Sequence, residues 1–415
     1  MTRKLPRALA GPIQQALAAF PVVVVTGARQ TGKSTLIRFL LGPPHREYRT
    51  LDDLDLLERV KSDPDSVVST GRPLTLDEIQ RSPELLLAIK RVVDERGWPG
   101  QFLLSGSANL SLMRNVSESL AGRAAYFTLH PLTHGERAGK ASSGAWQTLL
   151  EDPSRMEGEH PPADAIAAAV LAGGFPRPAL ARNASEGLQW FDGYVRTYIE
   201  RDLHALASIH NLVDFRRLMR AAALRSGCVL NQSEMARDVG LPQATAHRYL
   251  DLLETSFLVY RLPAFAVNRT KRLIKAPKLY FCDSGLAAFL AGARSETELA
   301  RSNLIGPLLE NLVLSDLLSW REQQVPRPEA MYWRTTLGEE VDLVVETSDR
   351  VLPVEVKSAS RVRQDDLRSM RVFLEQYGSL APHGVVLHCG RVAEQIGKRI
   401  WAIPLSALLG QAALD

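Results

Sequence analysis

The stretch PVVVVTGARQTGKSTLIRFLL at residues 21–41 decides the fold of the N-terminal part of this chain. Four consecutive valines predict a strand that is buried on both faces, and the glycine-containing segment after them predicts a loop. The residues TLIRFLL then have the apolar spacing of a helix. A buried strand that passes through a glycine loop directly into a helix is typical of an α/β domain with a parallel sheet.

The loop itself, GARQTGKS at residues 27–34, fits the pattern G-x-x-x-x-G-K-[ST] in the strand-to-helix context that this pattern requires. Its glycines let the backbone turn tightly, so that consecutive N–H groups and the helix N-terminus can meet phosphate oxygens. We expect Lys33 to reach the β- and γ-phosphates of ATP, and the Ser34 hydroxyl to bind Mg²⁺. The predicted nucleotide-binding residues are Gly27, Ala28, Arg29, Gln30, Thr31, Gly32, Lys33, Ser34 and Thr35.

A second apolar strand run, LTLDEIQ at residues 74–80, ends in two adjacent carboxylates. Asp77 can hold Mg²⁺ through the water shell of the ion, and Glu78 can polarise the water that attacks the γ-phosphate. Adjacent acids after a strand can also cap a helix N-terminus. Because they follow the phosphate loop by about 45 residues, we favour a catalytic pair that supports ATP hydrolysis.

A third strand run, QFLLSGSAN at residues 101–109, has a polar end that resembles a γ-phosphate sensor. Ser105 and Ser107 are the candidates, although Ser-Gly-Ser is also an ordinary turn. Arg114 and Arg123 are candidates for a cation that completes the site of a neighbouring subunit in a homo-oligomer. A solvated or salt-bridged arginine is an equally good interpretation of either one.

Residues 231–262, NQSEMARDVGLPQATAHRYLDLLETSFLVYRL, have the pattern helix, turn, helix and strand pair. Ser233 is the expected N-cap of the first helix, Gly240 ends it, and Gln243 opens the second. This order is typical of a winged helix-turn-helix, a fold that binds either DNA or protein. In a DNA-binding unit the second helix would present four side chains to the major groove, which are Gln243, Thr245, His247 and Arg248.

The run NRTKRLIKAPK at residues 268–278 follows directly and is strongly basic. Such a local cluster attracts phosphate groups, so it favours double-stranded DNA as the partner of this region. Packing or binding to a protein partner stays open as the alternative. The five cations of the run are Arg269, Lys271, Arg272, Lys275 and Lys278.

Near the C-terminus, Glu310 lies on an apolar helix, Asp342 begins the strand VDLVVE, and Glu355 and Lys357 lie in VEVKS. Strand alternation puts Glu355 and Lys357 on one face. Metal-dependent nucleases of the PD-(D/E)XK type need carboxylates that converge on Mg²⁺ and a lysine beside them that stabilises developing negative charge. The pattern therefore favours a nuclease-like site, while a binding scaffold or simple Glu–Lys pairing stays open.

These motifs together resemble the AAA+ superfamily of P-loop ATPases, through GARQTGKS, LTLDEIQ, LLSGSAN and LAGRAAYFTLHPL. Further segments are similar to a bacterial and archaeal ATPase family whose AAA-type module precedes a C-terminal domain of unassigned function. These segments are TYIERDL, GGFPRP, KAPKLYFCDSGLAAFL, LLENLVLSDL, EVDLVVE and LPVEVKSA. The resemblance spans residues 21–358 and implies ATP binding, while it implies little about the process served.

We therefore expect an α/β protein of three domains. Residues 1–184 form an AAA-type ATPase domain with a parallel sheet and a lid or linker, residues 185–275 a winged helix-turn-helix domain, and residues 276–415 a small PD-(D/E)XK nuclease-like α/β domain. The favoured function is an ATPase that binds ATP, ADP and Mg²⁺ and couples nucleotide state to a DNA-interacting C-terminal module. The alternatives are an ATP-controlled nuclease and an ATP switch that binds a protein partner.

Composition agrees with this expectation. The 415 residues are 45% hydrophobic and 23% charged, which excludes intrinsic disorder and fibrous repeats. Fifty Lys and Arg against 46 Asp and Glu leave a net charge of only +4. Nucleic acid would therefore have to bind a local patch of positive charge. Three cysteines without CxxC spacing favour a reducing compartment. The cysteine pattern therefore makes a cytoplasmic setting the expectation. No stretch has transmembrane length without charge.

Overall fold

The structure is a computed structural model that divides into two compact units. The N-terminal unit consists of Met1–Pro131 together with the short segment Thr255–Phe257. The C-terminal unit consists of Leu132–Glu254 and Leu258–Asp415. The residues that the structure describes are 5–41, 46–107, 120–141, 144–161, 163, 165–197 and 211–410.

The N-terminal unit contains a parallel sheet of five strands, as the alternation of apolar strands and helices predicts. In chain order the strands are β1 (Val22–Thr26), β2 (Glu47–Thr50), β3 (Leu74–Asp77), β4 (Phe102–Ser105) and β5 (Ala124–Thr128). Their spatial order is β2-β3-β4-β1-β5, so the phosphate loop leaves a strand that has a neighbour on each side. This position explains why all five residues of β1 are buried.

Helices cover both faces of this sheet. They are α1 (Ala10–Leu17), α2 (Lys33–Thr35), a π-helical turn (Leu36–Leu40), α3 (Leu54–Ser62), α4 (Pro64–Val68), a 3-10 turn (Ile79–Arg81) and α5 (Leu85–Arg96). Val22 and Val24 pack into a core with α3, α4 and α5, whereas Val23 and Val25 pack against α1 and Leu36 on the other face. The valine run therefore supplies both cores, because successive side chains of a strand point in opposite directions.

Among its described residues, the C-terminal unit contains two sheets. The small one pairs β7 (Val259–Leu262) with β8 (Lys278–Phe281) in antiparallel fashion. The large one has the order β6-β13-β14-β12-β11-β10-β9, in which β9, β10 and β11 are antiparallel and β11, β12 and β14 are parallel. Its strands are β6 (Gly158–Glu159), β9 (Glu329–Arg334), β10 (Glu340–Glu346), β11 (Val351–Val356), β12 (Gly384–His388), β13 (Val392–Gly397) and β14 (Ile400–Pro404).

The α-helices of this unit are mostly short. In chain order they are α6 (His134–Arg137), α7 (Ala145–Glu151), α8 (Ile166–Ala172), α9 (Pro176–Ala179), α10 (Ala184–Tyr194), α11 (Leu212–Leu224), α12 (Gln232–Asp238), α13 (Gln243–Thr255), α14 (Arg269–Ile274), α15 (Ser284–Ala291), α16 (Glu296–Arg301), α17 (Ile305–Arg321), α18 (Arg368–Tyr377) and α19 (Leu405–Leu409), with 3-10 turns at Pro153–Met156 and Gln364–Leu367. Within the described residues, no helix combines the length and the apolar character that crossing a membrane requires.

The segment after Pro131, which we predict as a lid or linker of the ATPase domain, makes its contacts inside the C-terminal unit. Strand β6 pairs with β13 at the edge of the large sheet. The ring of Trp146 on α7 lies 6.4 Å from that of Trp320 on α17. The Trp146 indole also donates a hydrogen bond of 2.9 Å to Asp316 Oδ1. These contacts attach α7 to α17 and order a segment with weak sequence periodicity.

Candidate functional site

The phosphate loop between β1 and α2 has the backbone conformation that its glycines permit. Gly27 has a φ of 142°, and a Cβ at this position would collide with the carbonyl oxygen of Leu129. Gly32, at the start of α2, has a φ of 96°, and Gln30 adopts a φ of 66° without being glycine. A left-handed residue inside a short loop is strained and is found mainly where function needs it.

Lys33 points back into this loop. Its Nζ donates hydrogen bonds to the carbonyl oxygens of Gly27 (3.0 Å) and Ala28 (2.9 Å) and is buried. Burial lowers the pKa of Lys33 to about 8, although the carboxylates of Glu78 and Asp77 act in the opposite direction. Lys33 and both acids of the LTLDEIQ motif therefore belong to one electrostatic cluster, as the sequence predicts.

Asp77, at the end of β3, is held from both neighbouring strands. Tyr48 on β2 donates a hydrogen bond of 2.8 Å to Asp77 Oδ2, and the Ser105 hydroxyl on β4 donates to Oδ1. Burial and the nearby Asp77 raise the pKa of Tyr48 well above its ordinary value, so Tyr48 stays a donor. Ser105 therefore contacts the candidate metal-binding carboxylate, and Tyr48 is a residue that our sequence reasoning missed.

Glu78 follows directly and has a φ of 59°, again a left-handed non-glycine conformation. The side-chain amide of Gln80 donates to Glu78 Oε2 and also to Ser107 Oγ, the latter at 3.0 Å. The Ser107 N–H in turn donates to Gln80 Oε1 over 3.3 Å. Gln80, which we did not single out, thus connects the candidate base to the candidate γ-phosphate sensor.

The candidate arginines have different outcomes. The Arg123 guanidinium forms a 2.5 Å ion pair with Asp94 on α5 and donates to the Ala121 carbonyl oxygen. This geometry matches the salt-bridged alternative, and the role of Arg123 in a neighbouring subunit stays a prediction. Arg114 and the end of the third strand motif, residues 108–109, lie outside the described residues.

In the C-terminal unit, α12 and α13 form the expected helix-turn-helix order, and Gly240 between them has a φ of 71°. The predicted N-cap is wrong by two residues. The Asn231 side chain, not that of Ser233, accepts the capping hydrogen bond from the Glu234 N–H. Asparagine caps as well as serine does, so propensity alone could not separate them.

The side chains predicted for the exposed face of α13 are arranged largely as expected. Gln243, His247 and Arg248 are exposed, and Thr245 is partly buried. His247 is tied at one ring nitrogen to Gln232 on α12 (3.0 Å) and at the other to Asp251 (3.2 Å).

The basic run does not present all five of its cations to solvent. Arg269, Lys271 and Lys275 are exposed. Arg272 is instead 9% exposed and pairs with Glu346 and with Glu329 on the large sheet. Lys278 on β8 is only 1% exposed. The expectation of five phosphate-attracting cations is therefore wrong for Arg272 and Lys278, because Arg272 pairs with Glu329 and Glu346, and Lys278 is buried beside carboxylates of its own unit.

The four residues of the nuclease-like pattern do converge. The Asp342 carboxylate on β10 accepts a 2.9 Å hydrogen bond from the Val356 N–H, which places it beside the end of β11. Lys357 Nζ donates to Glu355 Oε1 at 2.9 Å, as strand alternation predicts. Glu310 on α17 accepts a 2.8 Å hydrogen bond from the hydroxyl of Tyr280 on β8.

Sequence reasoning missed the cation in the middle of this group. Lys278 Nζ lies 2.5 Å from Glu340 Oε1 and 3.6 Å from carboxylate oxygens of both Glu310 and Asp342. Lys278 and Tyr280 alternate onto one face of β8, but strand alternation alone does not show which carboxylates this face meets.

Burial raises the pKa of Glu310 and Glu355 to about 8, and the Asp342 carboxylate acts in the same direction. Within the described part of the chain, no three His, Cys, Asp or Glu side chains are arranged to hold a metal ion. As it stands the acidic cluster therefore does not fit the divalent metal that a PD-(D/E)XK nuclease needs.

The parallel sheet and its phosphate loop identify the class. Residues 19–138 match the family model described as "AAA domain", so this part of the chain is similar to AAA domains and has a P-loop AAA-type fold. Two models described as domains of unknown function match residues 163–297 and 305–408.

The chain also belongs to a narrower family, that of an uncharacterized Mycobacterium tuberculosis protein, Rv2008c. It is 32% identical to that protein over 413 residues, which cover 99% of this chain and 86% of the relative, and the Mycobacterium bovis protein Mb2031c has the same values. Among solved structures, a Walker-type ATPase of Pyrococcus abyssi has 15% identity, a TM-score of 0.42, and coverage of 70% of this chain and 99% of its own. A RuvB protein of Thermotoga maritima has 18% identity, a TM-score of 0.28, and coverage of 61% and 89%.

Proposed function

We propose that the protein hydrolyses ATP with Mg²⁺ and couples its nucleotide state to a DNA-interacting C-terminal unit. The observation that carries the first part is the convergence of Lys33, Asp77 and Glu78 beside the phosphate loop. Lys33 would neutralise the β- and γ-phosphates, and the loop N–H groups would donate to their oxygens. Ser34, exposed at the start of α2, and Asp77 would hold the magnesium ion.

Glu78 would act as the general base. Its carboxylate lies next to Asp77 at the carboxyl edge of the parallel sheet, where an attacking water would meet the γ-phosphate. Gln80 would orient Glu78 and report the γ-phosphate through its hydrogen bonds with Ser107. A bound magnesium ion would supply charge neutralisation on the phosphate oxygens.

The DNA part of the proposal is supported by two exposed features of the C-terminal unit. Helix α13 presents Gln243, His247 and Arg248, which suit base edges and phosphates. Lys271 and Lys275 stand on the exposed segment between β7 and β8 and suit a phosphate backbone. We infer that the segment between β7 and β8 serves as the positively charged wing of a winged helix.

A cytoplasmic location agrees with the three cysteines, which are all free thiols. The nuclease alternative is disfavoured, because Lys278 stands among the carboxylates that a metal would need. The protein-partner alternative lacks a specific observation in its favour. A homo-oligomer completed by Arg123 would first require that its ion pair with Asp94 open.

The proposal is tested by measuring nucleotide binding, ATP turnover and duplex binding on the same preparations. Nucleotide-dependent thermal stabilisation and Mg²⁺-dependent release of phosphate are expected for the wild type, and Lys33→Ala should lose both. If the wild type gains no thermal stability from ATP or ADP, the ATPase assignment is wrong. Absence of duplex binding at low salt in every nucleotide state would remove the DNA part only.

A further inference from the structure

The acidic cluster of the C-terminal unit already contains a cation, and it comes from another element of the fold. Lys278 lies on β8 of the small sheet, whereas Glu340 and Asp342 lie on β10 of the large sheet and Glu310 lies on α17. The Lys278 ammonium is within 3.6 Å of all three carboxylates and is closest to Glu340, at 2.5 Å. The side chain is 1% exposed, so water cannot replace these partners.

A buried ammonium of this kind is expensive to place unless several negative groups surround it. Here three carboxylates do so, and the ring of Tyr332 lies 5.7 Å from the ammonium as a further favourable neighbour. The carboxylates need the ammonium in turn, because without a cation between them the three would repel one another strongly. Lys278 therefore performs the charge neutralisation that a metal ion performs in other acidic clusters.

The cluster also contains one oxygen that Lys278 does not satisfy. Glu355 is 93% buried, since its exposure is 7%, and its Oε1 accepts the hydrogen bond from Lys357. Its Oε2 is buried without a hydrogen-bond partner in the described part of the chain. A buried carboxylate oxygen without a donor points to a ligand position, because proteins rarely leave such atoms unpaired.

We propose that Lys278 is the resident cation of this cluster, that it occupies the position of a divalent metal, and that it thereby keeps the site metal-free. Removal of its charge should leave Glu310, Asp342 and Glu355 as an oxygen-ligand site for a hard divalent cation such as Mn²⁺ or Mg²⁺. In the native chain this cluster then does not support metal-dependent cleavage. This inference goes beyond the ATPase and does not depend on it.

The test measures Mn²⁺ binding by calorimetry and by the electron paramagnetic resonance signal of the free ion. All samples are full-length chains without nucleotide that carry Asp77→Asn, so that the ATPase site contributes no metal-binding carboxylate. Two variants are compared with this background, Lys278→Met and Lys278→Met with Glu340→Gln. The second removes one negative charge together with the positive one, which protects folding. Lys271→Met, an exposed lysine of the neighbouring segment, is the matched control.

We expect no Mn²⁺ site in the background protein or the control, and one site per chain in each Lys278 variant. Mn²⁺ should raise the thermal midpoints of both Lys278 variants and leave those of the background and the control unchanged. If Lys278→Met is unfolded without metal, Mn²⁺ should restore its far-ultraviolet circular dichroism. Mn²⁺ binding by the background that Asp342→Asn abolishes would overturn the proposal. Failure of the folded double variant to bind Mn²⁺ would overturn it equally.

Discussion

The hydroxyl of Tyr48 donates a 2.8 Å hydrogen bond to Oδ2 of Asp77, across the parallel pairing of β2 with β3. Because Ser105 donates to the other carboxylate oxygen from β4, the acid is oriented by both flanking strands. Two donors from opposite sides fix the direction of the carboxylate. The metal-binding acid is thus positioned by the sheet itself and not by its own loop.

Substitution of Tyr48→Phe should raise the Mg²⁺ concentration that ATP hydrolysis requires, while leaving the phosphate loop intact. Loss of one hydrogen bond to a charged group costs about 1.5–3 kcal/mol, which corresponds to roughly a 10- to 100-fold rise in the Mg²⁺ concentration needed for half-maximal turnover. Metal-free nucleotide binding should change little. The measurement is a Mg²⁺ titration of phosphate release, with Tyr126→Phe on β5 as the matched control. An unchanged Mg²⁺ requirement would show that Tyr48 does not position Asp77.

Substitution of Glu78→Gln should retain nucleotide binding and abolish turnover. The amide keeps the shape of the side chain but cannot accept a proton, so the loss belongs to the chemical step and not to binding. A drop in kcat of about 100-fold or more is expected, with the Kd for ATP within about threefold of wild type. Glu84→Gln, also in the segment after β3, serves as the control. Normal turnover of the Gln variant would assign the base to another residue.

Duplex DNA should bind the C-terminal unit with an affinity that falls steeply as salt rises, because phosphate contacts release counterions. The double variant Arg248→Ala with Lys271→Glu should weaken binding about tenfold or more and flatten the salt slope. Fluorescence anisotropy at several salt concentrations measures both quantities. Lys61→Glu, a charge reversal on α3 of the other unit, should change neither. Equal losses in the two variants would mean that general charge, and not this surface, governs binding.

Stability should depend on pH through Asp316. Burial raises the pKa of Asp316 to about 7, while the unfolded chain has its ordinary value near 3.8. Between these values the folded state holds the extra proton, so the free energy of unfolding should fall as pH rises, by at most about 1.4 kcal/mol per pH unit. Asp316→Asn can still accept from Trp146 and should flatten this dependence. Urea unfolding between about pH 4 and 8 measures it.

The control for that measurement is Asp365→Asn, an exposed position that should keep the wild-type pH dependence. Other buried acids also titrate in this range, since Glu310 and Glu355 have pKa values raised to about 8. The prediction therefore concerns the difference between Asp316→Asn and wild type. Parallel curves for the two proteins would contradict it.

Local patterns were enough to predict the parallel sheet and the phosphate loop. The residues that define the loop, Gly27, Gly32 and Lys33, are close together in the sequence, so the motif can be recognised without knowledge of the fold. Tyr48 and Lys278 could not be found in this way. Tyr48 meets Asp77 only through the register of β2 with β3, in which Thr50 is opposite Asp77. Lys278 looked like one more surface cation of a basic run, and its burial depends on how β8 packs beside β10 and α17. Such non-local contacts need the assembled fold.

The central position of β1 also has a consequence for how the chain is made. Val22 pairs with Phe102 of β4 and with Ala124 of β5, so both partners of the strand are synthesised long after it. Until Thr128 has left the ribosome, at least one edge of β1 lacks its partner strand, so the backbone N–H and C=O groups of the valine run on that edge are unpaired. Unpaired strand edges promote aggregation. Non-local parallel pairing is also slow to form. Nascent chains shorter than this should therefore depend on chaperones, whereas chains that extend past β5 can close the sheet unaided.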